Sequence, residues 1–108
     1  MRFLERPRRI FAYGRPVDMR KSFQGLCALT QHTLKEDPLS GDIFLFFNRR
    51  GNYLKVLLWD RSGYCVVAKR LERGRFLLPR SGEKIELDMQ SFSLLFDGIG
   101  LGARVRVA

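Results

Sequence analysis

The sequence has few of the residues that build metal sites and disulfide networks. Its 108 residues include two cysteines, Cys27 and Cys65, and one histidine, His32. The cysteines are far apart and have no C-x-x-C spacing, so neither a zinc site nor a disulfide framework is predicted. We interpret both as buried, small apolar residues. The sequence therefore predicts no metal and no cofactor.

Long apolar runs are missing as well. No segment approaches the roughly 20 apolar residues that a membrane-spanning helix needs. The first nine residues include six that are Arg, Glu or Pro and lack the apolar stretch of a signal peptide. We therefore expect a cytoplasmic protein that does not interact with a membrane.

The motifs of common catalytic sites are also absent. His32 has no partner at triad spacing, and no serine lies in a nucleophile-elbow pattern. The glycines form neither the G-x-x-x-x-G-K nor the G-x-G-x-x-G pattern of nucleotide-binding sites. DNA strand transfer needs several carboxylates to hold two metal ions. Four carboxylates could be candidates for this role, but each has another context. Asp18 and Asp60 have the contexts of cap and turn residues, Glu72 lies among arginines, and Asp97 lies at a helix end. We predict a non-catalytic protein with no small-molecule substrate.

The composition is that of a folded, strongly basic domain. Hydrophobic residues make up 45% and charged residues 29%, which is typical of a globular chain. We expect one domain over 1–108, with 1–8 and 101–108 flexible. The 20 Lys and Arg exceed the 11 Asp and Glu, which gives a net charge of +9. Such an excess indicates a polyanion partner, and the alternative is that it only maintains solubility.

Hydrophobic periodicity and turn residues predict an α+β fold. We expect an antiparallel sheet, a meander of about four to five strands, with one long helix packed on it and a short C-terminal helix. The predicted strands are 9–13, 43–47, 53–59, 64–71 and 84–87. Asp18 is expected to cap the long helix over 19–35, and Asp88 to cap the short helix over 89–96.

This topology predicts that distant cations meet at one end of the sheet. Successive hairpins reverse the chain, so the end of the strand 64–71 returns beside the loop 48–52, and the start of the long helix lies there too. The eight cations are Arg20, Lys21, Arg49, Arg50, Lys69, Arg70, Arg73 and Arg75. Their alternative use is local pairing with carboxylates and helix termini. Tyr53 and Tyr64 could stack on bases, whereas the phenylalanines favour core packing.

Several segments resemble one family in order and spacing. They include Val17-Asp18-Met19-Arg20-Lys21, Asp37-Pro38-Leu39-Ser40-Gly41 and Lys69-Arg70-Leu71-Glu72-Arg73-Gly74-Arg75-Phe76. Across about 9–100 the chain resembles the TnpB, or second open reading frame, accessory proteins of IS66-type insertion sequences, which are unrelated to the RNA-guided nuclease of that name. Leu78 stands where this family is expected to have an aromatic residue. The resemblance implies nothing about the residues beyond Gly100.

The resemblance implies a bacterial protein that works beside a separate transposase and another accessory protein of the same element. Two hypotheses for the eight cations follow. In the first, they bind DNA, mainly its phosphates, and help to assemble the transposition complex. In the alternative, they dock on the transposase without touching DNA. The sequence favours no particular oligomeric state.

Overall fold

The computed structural model describes residues 8–78 and 82–98, and it has the predicted α+β fold. One five-stranded sheet has the order β4-β3-β2-β1-β5. The strands are β1 (Ile10–Tyr13), β2 (Ile43–Phe47), β3 (Tyr53–Trp59), β4 (Tyr64–Arg70) and β5 (Lys84–Leu87). The helices are α1 (Phe23–Ala28), which continues as a π-helical segment over Leu29–Thr33, and α2 (Met89–Phe96).

The sheet is antiparallel except at one junction. β2, β3 and β4 form the expected meander, and β5 is the expected edge strand. β1 and β2 run parallel, with Ile10 opposite Ile43, which corrects the prediction of a wholly antiparallel sheet. The physical reason is the intervening helix, because a helical crossover brings the chain back to the end of the sheet at which β1 started.

The central strand β2 is buried along its whole length. Phe44 and Phe46 belong to the cluster that includes Leu26 of α1. Leu45 and Phe47 belong to the cluster on the opposite face, which includes Leu95 of α2. Because adjacent strand residues point to opposite faces, a run of five apolar residues requires cover on both sides. One helix supplies it on each face.

The prediction of one long helix over 19–35 is wrong in its extent. α1 has six residues and the π-helical segment five, so the helix spans only 23–33. Asp18 does not cap it, because the Asp18 carboxylate accepts hydrogen bonds from the backbone and guanidinium of Arg20 and stabilises a turn. At the other end Lys35 has a φ of 59°, a left-handed conformation that cannot continue a helix.

The short helix α2 has the predicted bounds and cap. Asp88 Oδ1 accepts a hydrogen bond of 2.7 Å from the backbone N–H of Ser91. This bond lowers the pKa of the Asp88 carboxyl below its usual value. Gly98, with a φ of 82°, follows the helix as a left-handed terminator. The flexible ends expected at 1–8 and 101–108 lie, apart from Arg8, outside the described residues.

The two-sided burial of β2 predicts a large cost for removing one of its rings. Phe44 is fully buried and stacks on Phe11 with ring centroids 5.9 Å apart. We expect Phe44→Ala to lower the free energy of unfolding by about 3–5 kcal/mol, because it removes buried apolar surface and leaves a cavity. Urea unfolding followed by circular dichroism measures this loss.

The matched control for this substitution is Phe23→Ala. The Phe23 side chain is 46% exposed, so its removal should cost much less, on the order of 0.5–1 kcal/mol. Equal losses in the two variants would contradict the two-sided core.

Candidate nucleic-acid interface

The loop between β2 and β3 is held in one shape by Asn48. Its Oδ1 accepts hydrogen bonds from the backbone N–H groups of Asn52 (3.0 Å) and Tyr53 (3.1 Å). Its Nδ2 donates to Asn52 Oδ1 at 2.8 Å. Gly51 completes the turn with a φ of 76°, a conformation that favours glycine. The loop therefore presents exposed Arg49 and Arg50 from an ordered backbone.

The segment that follows β4 lies against this loop. The backbone N–H of Leu71 donates to Asn52 O, and that of Phe76 donates to Gly51 O, both at 2.8 Å. Between these two bonds lie Arg73 and Arg75, both exposed. A Cβ on Gly51 would lie 3.5 Å from Arg75 Cβ, so the two segments are in van der Waals contact. The structure thus brings the two predicted arginine segments together.

Arg70 is oriented by an aromatic ring. Its guanidinium lies 4.3 Å from the centre of the Tyr53 ring, directly across the β3–β4 pair. Such cation–π contacts contribute about 0.5–1 kcal/mol at exposed sites. One face of Tyr53 is therefore occupied by Arg70, which leaves less of this ring for stacking on a base. This contact could be inferred from the sequence, because the predicted β3–β4 hairpin places Tyr53 and Arg70 opposite one another.

Arg20 and Lys21 lie at the same end of the sheet. The backbone N–H of Val17 donates to Phe47 O at 2.8 Å, and Lys55 Nζ donates to Lys21 O at 2.9 Å. Arg20 forms an ion pair with Asp18 at 2.7 Å, and this contact holds the pKa of the Asp18 carboxyl well below its usual range. The Arg20 charge is therefore offset at neutral pH, whereas Lys21 is exposed.

Lys69 is directed away from the other cations. Its Nζ donates to Phe96 O at 2.6 Å and lies 4.4 Å from the centre of the Phe96 ring. This side chain points to the α2 face of the sheet because neighbouring strand residues alternate. A cation at the last carbonyls of a helix stabilises that end. Lys69 therefore supports α2.

The remaining cations form a surface that we call the basic rim. Its members are Lys21, Arg49, Arg50, Arg70, Arg73 and Arg75. Within 8–78 and 82–98, none of them forms an ion pair with a carboxylate. Other cations differ, since Arg9 pairs with Glu86 and Arg15 with Glu83. The rim thus concentrates positive charge that the described part of the chain does not neutralise.

Two other kinds of feature are absent from the part of the chain that the structure describes. Among the described residues, no group of three or more His, Cys, Asp and Glu is arranged to hold a metal ion. No helix in the same part of the chain is long and apolar enough to cross a membrane.

The chain is similar to an established family and to two rhizobial proteins. The model of the family described as IS66 Orf2-like protein matches residues 8–106. Uncharacterized protein y4jC of Sinorhizobium fredii is 38% identical over 84% of this chain and 79% of its own. Uncharacterized protein y4hO of the same organism is 42% identical over 77% of this chain and 73% of its own. No solved structure matches the chain.

The role of Asn48 is testable without any ligand. We expect Asn48→Ala to raise the hydrogen-exchange rates of the Asn52 and Tyr53 amides, because both lose their acceptor. The control Asn52→Ala removes only the bond between the two side chains and should leave the Tyr53 amide protected. Unchanged exchange in Asn48→Ala would show that the loop is ordered by other contacts.

Proposed function

Since the chain belongs to the IS66 Orf2-like family of insertion-sequence proteins, we propose that it serves transposition as an accessory protein that binds DNA through the basic rim. In this proposal the rim contacts phosphates and positions the element's DNA while the transposition complex assembles. The chain itself carries out no chemical step, and the transposase acts on the DNA.

The observation that supports DNA binding is the group of six cations without ion pairs in the described part of the chain. Five of them are arginines, whose planar guanidinium suits two parallel hydrogen bonds to a phosphate. Arg49 and Arg50 are carried by an ordered loop, so less backbone freedom is lost when DNA binds.

The proposed contacts carry little sequence information. Phosphate contacts position a protein on DNA, whereas sequence is read by contacts with base edges. The rim lies on loops and at a strand end, and no helix contributes a residue to it. We therefore propose binding that depends on charge, with weak preference for one sequence over another.

The experiment is a salt titration of duplex DNA binding by three forms of the full chain. The wild type is compared with Arg49→Gln/Arg50→Gln and with Lys35→Gln/Arg61→Gln. Both variants lose two positive charges. Lys35 follows the helix and Arg61 follows β3, so the second pair lies at the end of the sheet opposite the basic rim. Fluorescence anisotropy then gives the affinity at each salt concentration.

We expect the wild-type affinity to fall steeply with salt, because each neutralised phosphate releases counterions. The rim variant should bind at least about tenfold more weakly and reduce the slope of log K against log salt by about two. The opposite-end variant should behave nearly as the wild type. Equal losses in both variants, or binding that does not respond to salt, would refute the proposal.

The alternative is that the rim docks on an acidic patch of the transposase or of the element's other accessory protein. The Arg70–Tyr53 stack favours it, because arginine and tyrosine are enriched among residues that dominate protein–protein affinity. Capture of the transposase that survives nuclease treatment and is lost in the rim variant would support this alternative. Capture that nuclease abolishes would support the DNA proposal.

A further inference from the structure

The two edges of the sheet differ in how they are protected. β5 is short, with four residues, and its charged side chains are engaged, Lys84 with Glu36 and Glu86 with Arg9. Short, charged edges resist pairing with another strand. β4 has seven residues, contains no proline, and carries charge only at its last two positions, Lys69 and Arg70. Near its middle, Val67 is 36% exposed.

The register identifies which backbone groups of β4 point outward. The N–H of Asp60 donates to Gly63 O, and the N–H of Leu71 donates to Asn52 O. Hydrogen-bonded pairs alternate along an antiparallel ladder, so odd-numbered β4 residues direct their N–H and C=O groups to β3. The even-numbered residues Tyr64, Val66, Ala68 and Arg70 direct theirs away from the sheet. Within the described residues, no strand lies on that side.

We propose that β4 pairs with β4 of a second copy of this chain, antiparallel and centred on Val67, so that two sheets become one. In this register Val66 lies opposite Ala68 of the second copy, and Tyr64 opposite Arg70 of the second copy. All four outward-facing residues then use both backbone groups. The pairing forms about eight hydrogen bonds across the full strand.

The position of the two cations at one end of β4 allows a second copy to occupy this edge without placing like charges opposite one another. An antiparallel strand reverses the order of its residues, so the two cations at one end of β4 meet uncharged residues at the other end. Arg70 lies opposite Tyr64 of the second copy, and Lys69 opposite Cys65 of the second copy. Lys69 and its symmetry mate are separated by four residue steps, roughly 13 Å at the usual rise along a strand. No like charges lie directly opposite, although each chain has a net charge of +9.

The same register covers apolar surface beside α2. A groove of about 230 Å³ lies between the sheet and α2, and its lining includes Val56, Val67, Met89 and Phe92. Met89 is 40% exposed and Val67 36% exposed. Val67 of the second copy would lie on this face at the mouth of the groove, next to Val67. The pairing therefore buries the exposed valine that a lone edge strand leaves in water.

The dimer does not depend on DNA binding, and the two kinds of binding should respond oppositely to salt. Antiparallel pairing places the two basic rims at opposite ends of the joined sheet. Since both copies are strongly positive, added salt screens their repulsion and should strengthen the dimer. The same salt should weaken DNA binding. A failure of one proposal therefore leaves the other intact.

The first test is sedimentation of the full chain without DNA. We expect a dimer for the wild type, and Ala68→Pro should weaken it at least about tenfold, because proline removes an outward N–H that the partner needs. Proline is tolerated at such edge positions, so the variant should stay folded by circular dichroism. Ala68→Ser keeps the N–H and should dimerise as the wild type does. A monomeric wild type, or a dimer unaffected by Ala68→Pro, would overturn the proposal.

A second test reads the register directly, using the chain with Cys27→Ala and Cys65→Ala. Val67 faces its own copy at a non-hydrogen-bonded position, where Cα atoms are about 4.5 Å apart and a disulfide fits. Val67→Cys should therefore form covalent dimers on mild oxidation. Ala68→Cys should not, because position 68 of one copy lies opposite position 66 of the other. The two introduced thiols are therefore beyond disulfide reach. Cross-linking of Ala68→Cys but not Val67→Cys would overturn the assigned register.

Discussion

The fold depends on the burial of β2 on both faces. Five consecutive apolar residues, Ile43–Phe47, cannot leave either side of this strand in water. The chain meets this constraint with α1 on one face and α2 on the other, and with β1 and β3 on the two flanks. The loop that carries Arg49 and Arg50 directly follows this strand, and the segment that carries Arg73 and Arg75 is hydrogen-bonded to that loop.

Much of this arrangement could be predicted from the sequence, because local turn chemistry determined it. Asn48, Gly51 and Asn52 indicate one hairpin loop, and Asp60 and Gly63 indicate the next. Hairpins fix the neighbours of each strand end. The capping carboxylate of Asp88 correctly marked the start of α2. The contact between the loop that carries Arg49 and the segment that carries Arg75 follows from these local signals.

Other features depend on contacts that a linear pattern does not contain. Asp18 resembles a helix cap, but its carboxylate pairs with Arg20 two residues later, so the helix starts only at Phe23. The parallel pairing of β1 with β2 depends on where the crossover helix returns the chain. Lys69 lies in the arginine-rich motif, yet strand alternation directs it to Phe96. Sequence spacing brought Lys69 to the correct end of the sheet and to the wrong face.

The basic rim and the β4 edge use the same strand in different ways. Side chains at the end of β4 supply charge, with Arg70 held against Tyr53, whereas the outward backbone groups of β4 supply a surface for pairing. A charge-dependent surface and a backbone-dependent surface respond oppositely to salt. Neither proposed surface requires a metal centre, and no group of metal-ligating residues is found in the described part of the chain.

DNA binding through the basic rim is tested most directly by mapping backbone amide NMR shifts as duplex DNA is added to the folded chain. We expect the shift changes to concentrate at 48–52 and 70–76 and the opposite hairpin, 60–63, to stay unchanged. Shifts centred on 60–63, or spread evenly over the molecule, would contradict the assignment of the basic rim as the DNA-binding surface.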